Sequence, residues 1–117
     1  MRELTLVIPA KFESESLPIF YQEIANLNCN KIVILDADLA GGTGCHHFLK
    51  KYPKRFFQCG IAEQNMISVA AGMSSLGLIP FATTFAVFAL RAYEQARLSI
   101  SYSNLNVKII ASHGGLD

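Results

Sequence analysis

Short runs of β-branched and aromatic residues alternate along this chain with segments long enough to be helices. This alternation is typical of βα units, in which helices cover a mainly parallel sheet. It predicts strands at residues 4–10, 31–37, 55–60, 78–84 and 107–113. The predicted fold class is therefore α/β, with a mainly parallel sheet flanked by helices.

Four helical segments fall between the predicted strands. The first spans residues 15–28, the second is short and follows the sequence GGTG, and the last two span residues 62–76 and 86–102. Segment 62–76 is apolar on almost all sides, and such a helix is buried all round. It is therefore a candidate for the core or for a contact with another subunit.

Composition narrows the class of protein. A chain of 117 residues fits one domain, and 51% of its residues are hydrophobic while only 16% are charged. That balance suits a sheet buried on both faces, or a surface that meets another subunit. The net charge of +1 gives no electrostatic case for binding nucleic acid or an anionic membrane.

The cysteines indicate the compartment. Cys29, Cys45 and Cys59 are odd in number, lie in no CxxC arrangement and follow no secretory signal. Free thiols are typical of a reducing compartment, so the sequence predicts a cytoplasmic protein.

Several polar and aromatic residues come directly after the predicted strands. In open parallel sheets, ligands bind beyond the carboxyl ends of the strands. We therefore expect the following residues to share one rim of the sheet: Asp36, Asp38, Glu63, Thr84, Phe85, Phe88, Ser112 and His113.

Each of these features also has a purely structural explanation. Glu63 lies in a first helical turn, where the helix dipole favours a carboxylate, and Phe85 and Phe88 have the spacing of core residues. The sequence GGTG lacks the Lys-Ser/Thr of a P-loop, and Cys45, His46 and His47 are adjacent rather than spaced as metal ligands. The residues alone therefore predict a ligand rim without naming a reaction, and they predict no metal site.

Three longer stretches resemble one family. They are VILDADLAGGTG, the run from YPKRFFQCGIAEQNM to TTFAVFALRAYEQARLSI, and NVKIIASHGGL. In this order and spacing they resemble the pyrimidine-binding domain of the transketolase family, thiamine diphosphate enzymes that include deoxyxylulose-phosphate synthase. The resemblance covers nearly three quarters of the chain and implies such a domain at residues 31–117, incomplete at its C-terminus.

The resemblance implies roles for the rim residues. Glu63 matches the glutamate of the family's G-I-A-E-Q motif, which shares a proton with N1′ of the cofactor's aminopyrimidine and is catalytic. Phe85 and Phe88 match aromatic residues that pack around the pyrimidine, and Arg91 matches a residue near the site. Asp38 matches an acid close to the cofactor at a subunit boundary.

The same resemblance implies a substrate side. His113 matches a histidine of the substrate channel, where it is expected to act in catalysis and to contact a sugar phosphate. Gly42 stands where many relatives carry a serine for the substrate phosphate, so Thr43 is the candidate substitute.

The cofactor requires a partner. The family holds the diphosphate and Mg²⁺ on a separate domain, through a G-D-G motif followed by an asparagine, and this sequence contains neither. The resemblance therefore implies an oligomer in which a partner supplies that domain, with segment 62–76 as a candidate contact surface. The implied activity is that of a transketolase, which transfers a two-carbon ketol unit between sugar phosphates, and it is expected only in the assembly.

The N-terminus has a different likeness. LTLVIPAKFESESLP resembles the opening strand and helix of family 2 glycosyltransferases. Residues 1–30 are therefore predicted to form an atypical N-terminal strand and helix, in which Pro9, Ala10 and Glu13 would be candidates for contact with a nucleotide sugar. Two alternatives follow: a glycosyltransferase fragment, or an inactive fusion product.

Overall fold

The fold is a parallel sheet. The computed structural model describes residues 6–7, 13–27 and 29–115. The strands are β1 (Leu6–Val7), β2 (Ile32–Asp36), β3 (Phe56–Gln58), β4 (Ile79–Phe85) and β5 (Lys108–Ser112). They form one sheet in the order β1-β5-β4-β2-β3, and every pair of neighbours is parallel. The α/β class predicted from the alternating pattern is confirmed.

Helical segments connect the strands. The α-helices are α1 (Glu13–Asn26), α2 (Ala40–Thr43), α3 (His46–Lys51), α4 (Glu63–Ser75), α5 (Ala86–Ala89) and α6 (Tyr93–Gln95). Two 3₁₀ turns, Pro53–Arg55 and Leu90–Ala92, and a π-helical segment, Ala96–Tyr102, complete them. No helix in the described part of the chain is both long enough and apolar enough to cross a membrane.

Both faces of the sheet are covered, and β2 shows why. Ile32 and Ile34 point into a core formed with α1 and α3, while Val33 and Leu35 point into a second core formed with α4 and the helical run that follows β4. Because alternate side chains of a strand point to opposite faces, a strand covered on both sides needs apolar residues throughout. The unbroken apolar run of β2 meets this requirement.

Helix α4 is buried on one side only, so the prediction of all-round burial was wrong. Its inner side is part of the core and consists of Met66, Ile67, Ala70 and Ala71. Its outer side is exposed and consists of Gln64, Asn65, Ser68, Gly72 and Ser75. Because several of these outer residues are small, the sequence looks more uniformly apolar than the helix surface is.

The predicted helix at 86–102 is a broken run. Short α-helical pieces are separated by the 3₁₀ turn Leu90–Ala92 and followed by the π-helical segment. Ala92, Ala96 and Ile100 all pack against the core at intervals of four residues. Four residues are more than one turn of an α-helix, which has 3.6 residues per turn, so positions four apart shift steadily around the helix axis and away from the core. A π turn contains more residues, which offsets this shift.

The described part of the N-terminal region belongs to the same sheet and core. Strand β1 pairs with β5, and Leu17, Tyr21 and Ile24 of α1 are buried against β2 and α3. Pro9 and Ala10, two of the candidates for nucleotide-sugar contact, lie outside the described residues. The boundary between residues 30 and 31 stays a prediction.

Candidate functional site

The carboxyl ends of the strands form one rim. Asp36, at the end of β2, is in register with Gln58 of β3 and Thr83 of β4, and Phe85 of β4 is in register with Ser112 of β5. The chain leaves β2 toward β3 and leaves β4 in the opposite direction, toward β5. Such a reversal opens a crevice at the carboxyl ends, which is where open α/β sheets bind ligands.

Glu63 begins α4 and is 2% exposed. Its Oε2 accepts a hydrogen bond from Nη1 of Arg91 at 3.3 Å, and the Arg91 side chain is 60% exposed. Helix α4 places the carboxylate at the positive end of its dipole, and the 3₁₀ turn Leu90–Ala92 places Arg91 against it. Sequence reasoning named both residues but missed their ion pair, because nothing in the local pattern links positions 28 apart.

Three predicted site residues form an aromatic stack. The rings of Phe85 and Phe88 are nearly parallel, with an interplanar angle of 12° and centroids 5.9 Å apart. The Phe85 ring also lies against the His113 ring, tilted by 34° with centroids 3.9 Å apart. A Cβ atom on Gly42 would lie 2.8 Å from Cζ of Phe85. The ring therefore occupies the space that the serine of the family pattern would need.

His113 directly follows β5 and has a left-handed backbone, with φ of 54°. Its Nδ1 is 2.8 Å from the hydroxyl of buried Ser112, with which it shares a hydrogen bond. That hydrogen bond and the Phe85 ring orient an otherwise exposed imidazole on the rim.

Asp38 stands in the loop after β2 with an exposed side chain and φ of 62°. Its N–H donates to Oε1 of Gln58 at 2.8 Å, and Nε2 of Gln58 donates to the buried carboxylate of Asp36 at 2.8 Å. Sequence reasoning singled out the two aspartates but missed Gln58. The parallel pairing of β2 with β3 brings it beside Asp36, and that register is not visible in the local pattern.

Thr43 is not presented to a ligand. The residue is fully buried, and its hydroxyl donates either to the carbonyl of Leu39, at 3.1 Å, or to Sγ of Cys45, at 3.3 Å. Thr43 borders a small cavity beside Pro18 and His46, but its hydroxyl is used internally. The substrate contact expected of Thr43 therefore has no support in this arrangement.

Two groups of predicted residues fit an aminopyrimidine. Glu63 is a buried carboxyl group, which can hydrogen-bond a ring nitrogen away from water. Phe85 and Phe88 offer flat apolar faces suited to a heteroaromatic ring. The short segment from α5 to the 3₁₀ turn carries both Phe88 and Arg91, which ties the stack to the ion pair. No group of three or more His, Cys, Asp or Glu residues that could hold a metal ion occurs in the described part of the chain.

Comparison with known proteins points to one family. The family model described as transketolase, pyrimidine binding domain, matches residues 21–117. A putative transketolase C-terminal section from Methanocaldococcus jannaschii is 51% identical over 86 residues, which are 73% of this chain and 27% of that protein. A 6-deoxy-6-sulfo-D-fructose transketolase subunit from a Clostridium strain is 43% identical over 88 residues, covering 74% of this chain and 27% of the relative.

A solved structure agrees. A split gene transketolase, described as an inactive β4 tetramer, superposes with a TM-score of 0.74 and 53% sequence identity over 86% of this chain and 33% of that one. The chain thus spans about a quarter to a third of these relatives. The sheet, the rim and these matches agree, and the chain belongs to the transketolase family, of which it carries the pyrimidine-binding domain.

Proposed function

We propose that this chain supplies the pyrimidine-binding half of a thiamine diphosphate-dependent transketolase, which transfers a two-carbon ketol unit between sugar phosphates. The observation that carries the proposal is the position of Glu63, a carboxyl group that is 2% exposed at the first turn of α4 on the ligand rim. Its partner Arg91 is largely exposed, so a ligand that approaches Glu63 can displace or share it.

The other rim residues have complementary roles. Glu63 shares a proton with N1′ of the aminopyrimidine, and Phe85 and Phe88 exclude water from the ring by packing against it. His113, held by Ser112 and Phe85, faces the sugar phosphate, and Asp38 lies on the loop nearest a neighbouring subunit. When bound, the cofactor itself supplies the electron sink for carbon–carbon bond cleavage.

The diphosphate and Mg²⁺ are held by a partner. One relative is named as a C-terminal section, one as a subunit, and the structural neighbour as a split gene product. These names support an oligomer in which a second chain carries the diphosphate-binding domain. The exposed side of α4 is a candidate contact surface, and the free thiols Cys29, Cys45 and Cys59 suit the cytoplasm.

The glycosyltransferase alternative is not favoured. The family match begins at residue 21, inside the predicted N-terminal segment 1–30, and α1 packs in the same core as β2. No contact among the described residues indicates a nucleotide-sugar site.

Calorimetric titration tests the proposal. Thiamine diphosphate with Mg²⁺ is titrated into the chain alone, into a diphosphate-binding transketolase subunit alone, and into their mixture. We expect tight binding and ketol transfer from a ketose phosphate only in the mixture. A mixture that neither binds the cofactor nor transfers a ketol unit contradicts the proposal.

A further inference from the structure

The side-chain amide of Gln58 joins the loops that follow β2 and β3. Its Oε1 accepts two backbone hydrogen bonds, from the N–H of Asp38 at 2.8 Å and from the N–H of Gly60 at 3.0 Å. Its Nε2 donates to Oδ2 of Asp36 at 2.8 Å. A single side chain of β3 thus binds the loop after β2, the loop after β3 and the last residue of β2.

The orientation of this amide is fixed by chemistry. A carboxylate only accepts hydrogen bonds and a backbone N–H only donates them. The reversed amide would place its oxygen against the carboxylate of Asp36 and its NH₂ group against the two backbone N–H groups, so none of the three hydrogen bonds could form. Asp36 is itself held in place, because it is fully buried and its Oδ2 also accepts from the N–H of Leu39 at 2.9 Å. Gln58 therefore has one arrangement that satisfies all of its partners.

The two loop residues that Gln58 binds are both in left-handed conformations. Asp38 has φ of 62° and Gly60 has φ of 68°. A non-glycine residue in this region is strained and persists only where its surroundings hold it. The hydrogen bond from the Asp38 N–H to Gln58 is such a restraint.

Movement at Gly60 would be passed on to Glu63. The N–H of Ala62 donates to the carbonyl of Gly60 at 2.8 Å, which folds the connection into a tight turn, and α4 begins at the next residue. Gln58 therefore holds both the loop that bears Asp38 and the turn that sets the start of α4.

We propose that Gln58 is a positioning residue for the cofactor site, which fixes Asp38 and Glu63 relative to each other through Asp36, the Asp38 N–H and the Gly60 N–H. This inference rests on the proposed function, since it concerns the site that would receive the aminopyrimidine. It extends that function to a residue that would not itself touch the cofactor.

The first test concerns only the Gln58 clamp, by which we mean the hydrogen bonds of the Gln58 side chain to Asp36, Asp38 and Gly60. Amide hydrogen exchange is measured by NMR on the chain and on Gln58→Ala, with Gln22→Ala as the control, because Gln22 lies on the exposed side of α1. We expect exchange at Asp38 and Gly60 to speed up about tenfold in Gln58→Ala, which corresponds to the loss of one hydrogen bond. Exchange at Val33 and Leu35 in the core should stay unchanged and report an intact fold.

The second test concerns the site. Thiamine diphosphate affinity is measured in the mixture with the diphosphate-binding subunit for Gln58→Glu and for the control Gln22→Glu, at several pH values. The new carboxylate would face Asp36, and two adjacent carboxylates repel each other when both are ionised. We expect Gln58→Glu to bind about tenfold more weakly than the control at pH 8 and to approach it near pH 5.5, where the pair can share a proton.

Other titratable groups that face Asp36 do not confuse this comparison. Among the described residues these are the phenol of Tyr21 and the thiols of Cys45 and Cys59, and the pKa of each is raised, chiefly by burial. All three therefore stay neutral over the range tested, and both variants contain them.

Each outcome decides the proposal. If amide exchange at Asp38 and Gly60 is unchanged in Gln58→Ala, Gln58 does not restrain the two loops and the proposal is wrong. Faster exchange with an affinity ratio near one at every pH shows that the clamp is only structural and overturns the positioning role. If the wild-type mixture binds no thiamine diphosphate, the proposed function fails and the positioning role fails with it, whereas a loss confined to Gln58→Glu supports both.

Discussion

Nη1 of Arg91 lies 3.3 Å from Oε2 of Glu63, and the two side chains differ greatly in exposure, at 60% and 3%. A mostly exposed guanidinium thus covers a buried carboxylate on its solvent side. Because Arg91 keeps much of its hydration, the pair can open at modest cost. A ligand can therefore reach Glu63 without first disrupting the core.

Removal of the Arg91 side chain should destabilise the protein moderately. We expect Arg91→Ala to lower the free energy of unfolding by about 1–2 kcal/mol, because the carboxylate of Glu63 loses a charged hydrogen bond. Urea titration followed by circular dichroism measures the change. Arg97→Ala, which breaks the exposed pair with Glu94, is the control and should cost clearly less, because water and salt screen an exposed pair. Equal losses in the two variants would show that burial of Glu63 does not matter.

A side chain at Gly42 should destabilise the chain. A Cβ at this position would meet Cζ of Phe85 at 2.8 Å, so we expect Gly42→Ala to lower the free energy of unfolding by about 1–3 kcal/mol. Gly72 lies on the exposed side of α4 with open space around it, and Gly72→Ala should instead stabilise by about 0.5–1 kcal/mol. The same urea titration compares the two, and a neutral Gly42→Ala would mean that Phe85 is not fixed where the stack places it.

Neighbouring threonines of β4 should respond in opposite ways. The hydroxyl of Thr84 is buried without a hydrogen-bond partner, so Thr84→Val should be neutral or stabilise by up to about 1 kcal/mol. The hydroxyl of Thr83 accepts a hydrogen bond from buried Tyr21 at 2.9 Å, and Thr83→Val should cost about 1–3 kcal/mol. Thermal or urea unfolding of both variants decides between this order and its reverse.

Stability should fall in alkaline solution. Burial raises the pKa of Cys45 from 9.0 to about 12, and burial also raises the pKa of Tyr21 above its usual value of 10.0. Between pH 9 and 12 the unfolded chain releases the Cys45 proton while the folded chain keeps it, so stability falls by up to about 1.4 kcal/mol per pH unit for this group. Tyr21 adds to the decline above pH 10.

Urea titrations at pH 8, 9, 10 and 11 measure this slope. In Cys45→Ala the slope between pH 9 and 10 should be shallower, because one of the groups with a raised pKa is gone. An unchanged slope would contradict the assignment of this decline to Cys45.

The parts of the fold that follow from local pattern were predictable. Strands β2 and β5 lie within the predicted ranges and β4 ends one residue beyond its range, because a strand covered on both faces must be apolar along its length. The shared rim followed from the same reasoning, since parallel strands end at one edge. The resemblance pointed to Glu63 and the aromatic residues, which the structure places on that rim.

What the sequence could not show depends on contacts between distant residues. The break in the helix after β4 depends on how Ala92 and Ile100 meet the core. The role of Gln58 depends on the register between β2 and β3. None of these has a signature in a single stretch of sequence.

The most direct measurement of the central claim is the turnover rate of Glu63→Gln. It is measured in the assembly with the diphosphate-binding subunit, and Glu94→Gln, which changes an exposed glutamate in the same way, is the control. We predict that kcat for ketol transfer falls at least about 100-fold in Glu63→Gln and stays near wild type in Glu94→Gln, because in the proposed mechanism Glu63 and not Glu94 exchanges a proton with the cofactor. A Glu63→Gln assembly that binds thiamine diphosphate and keeps its wild-type kcat would contradict the account.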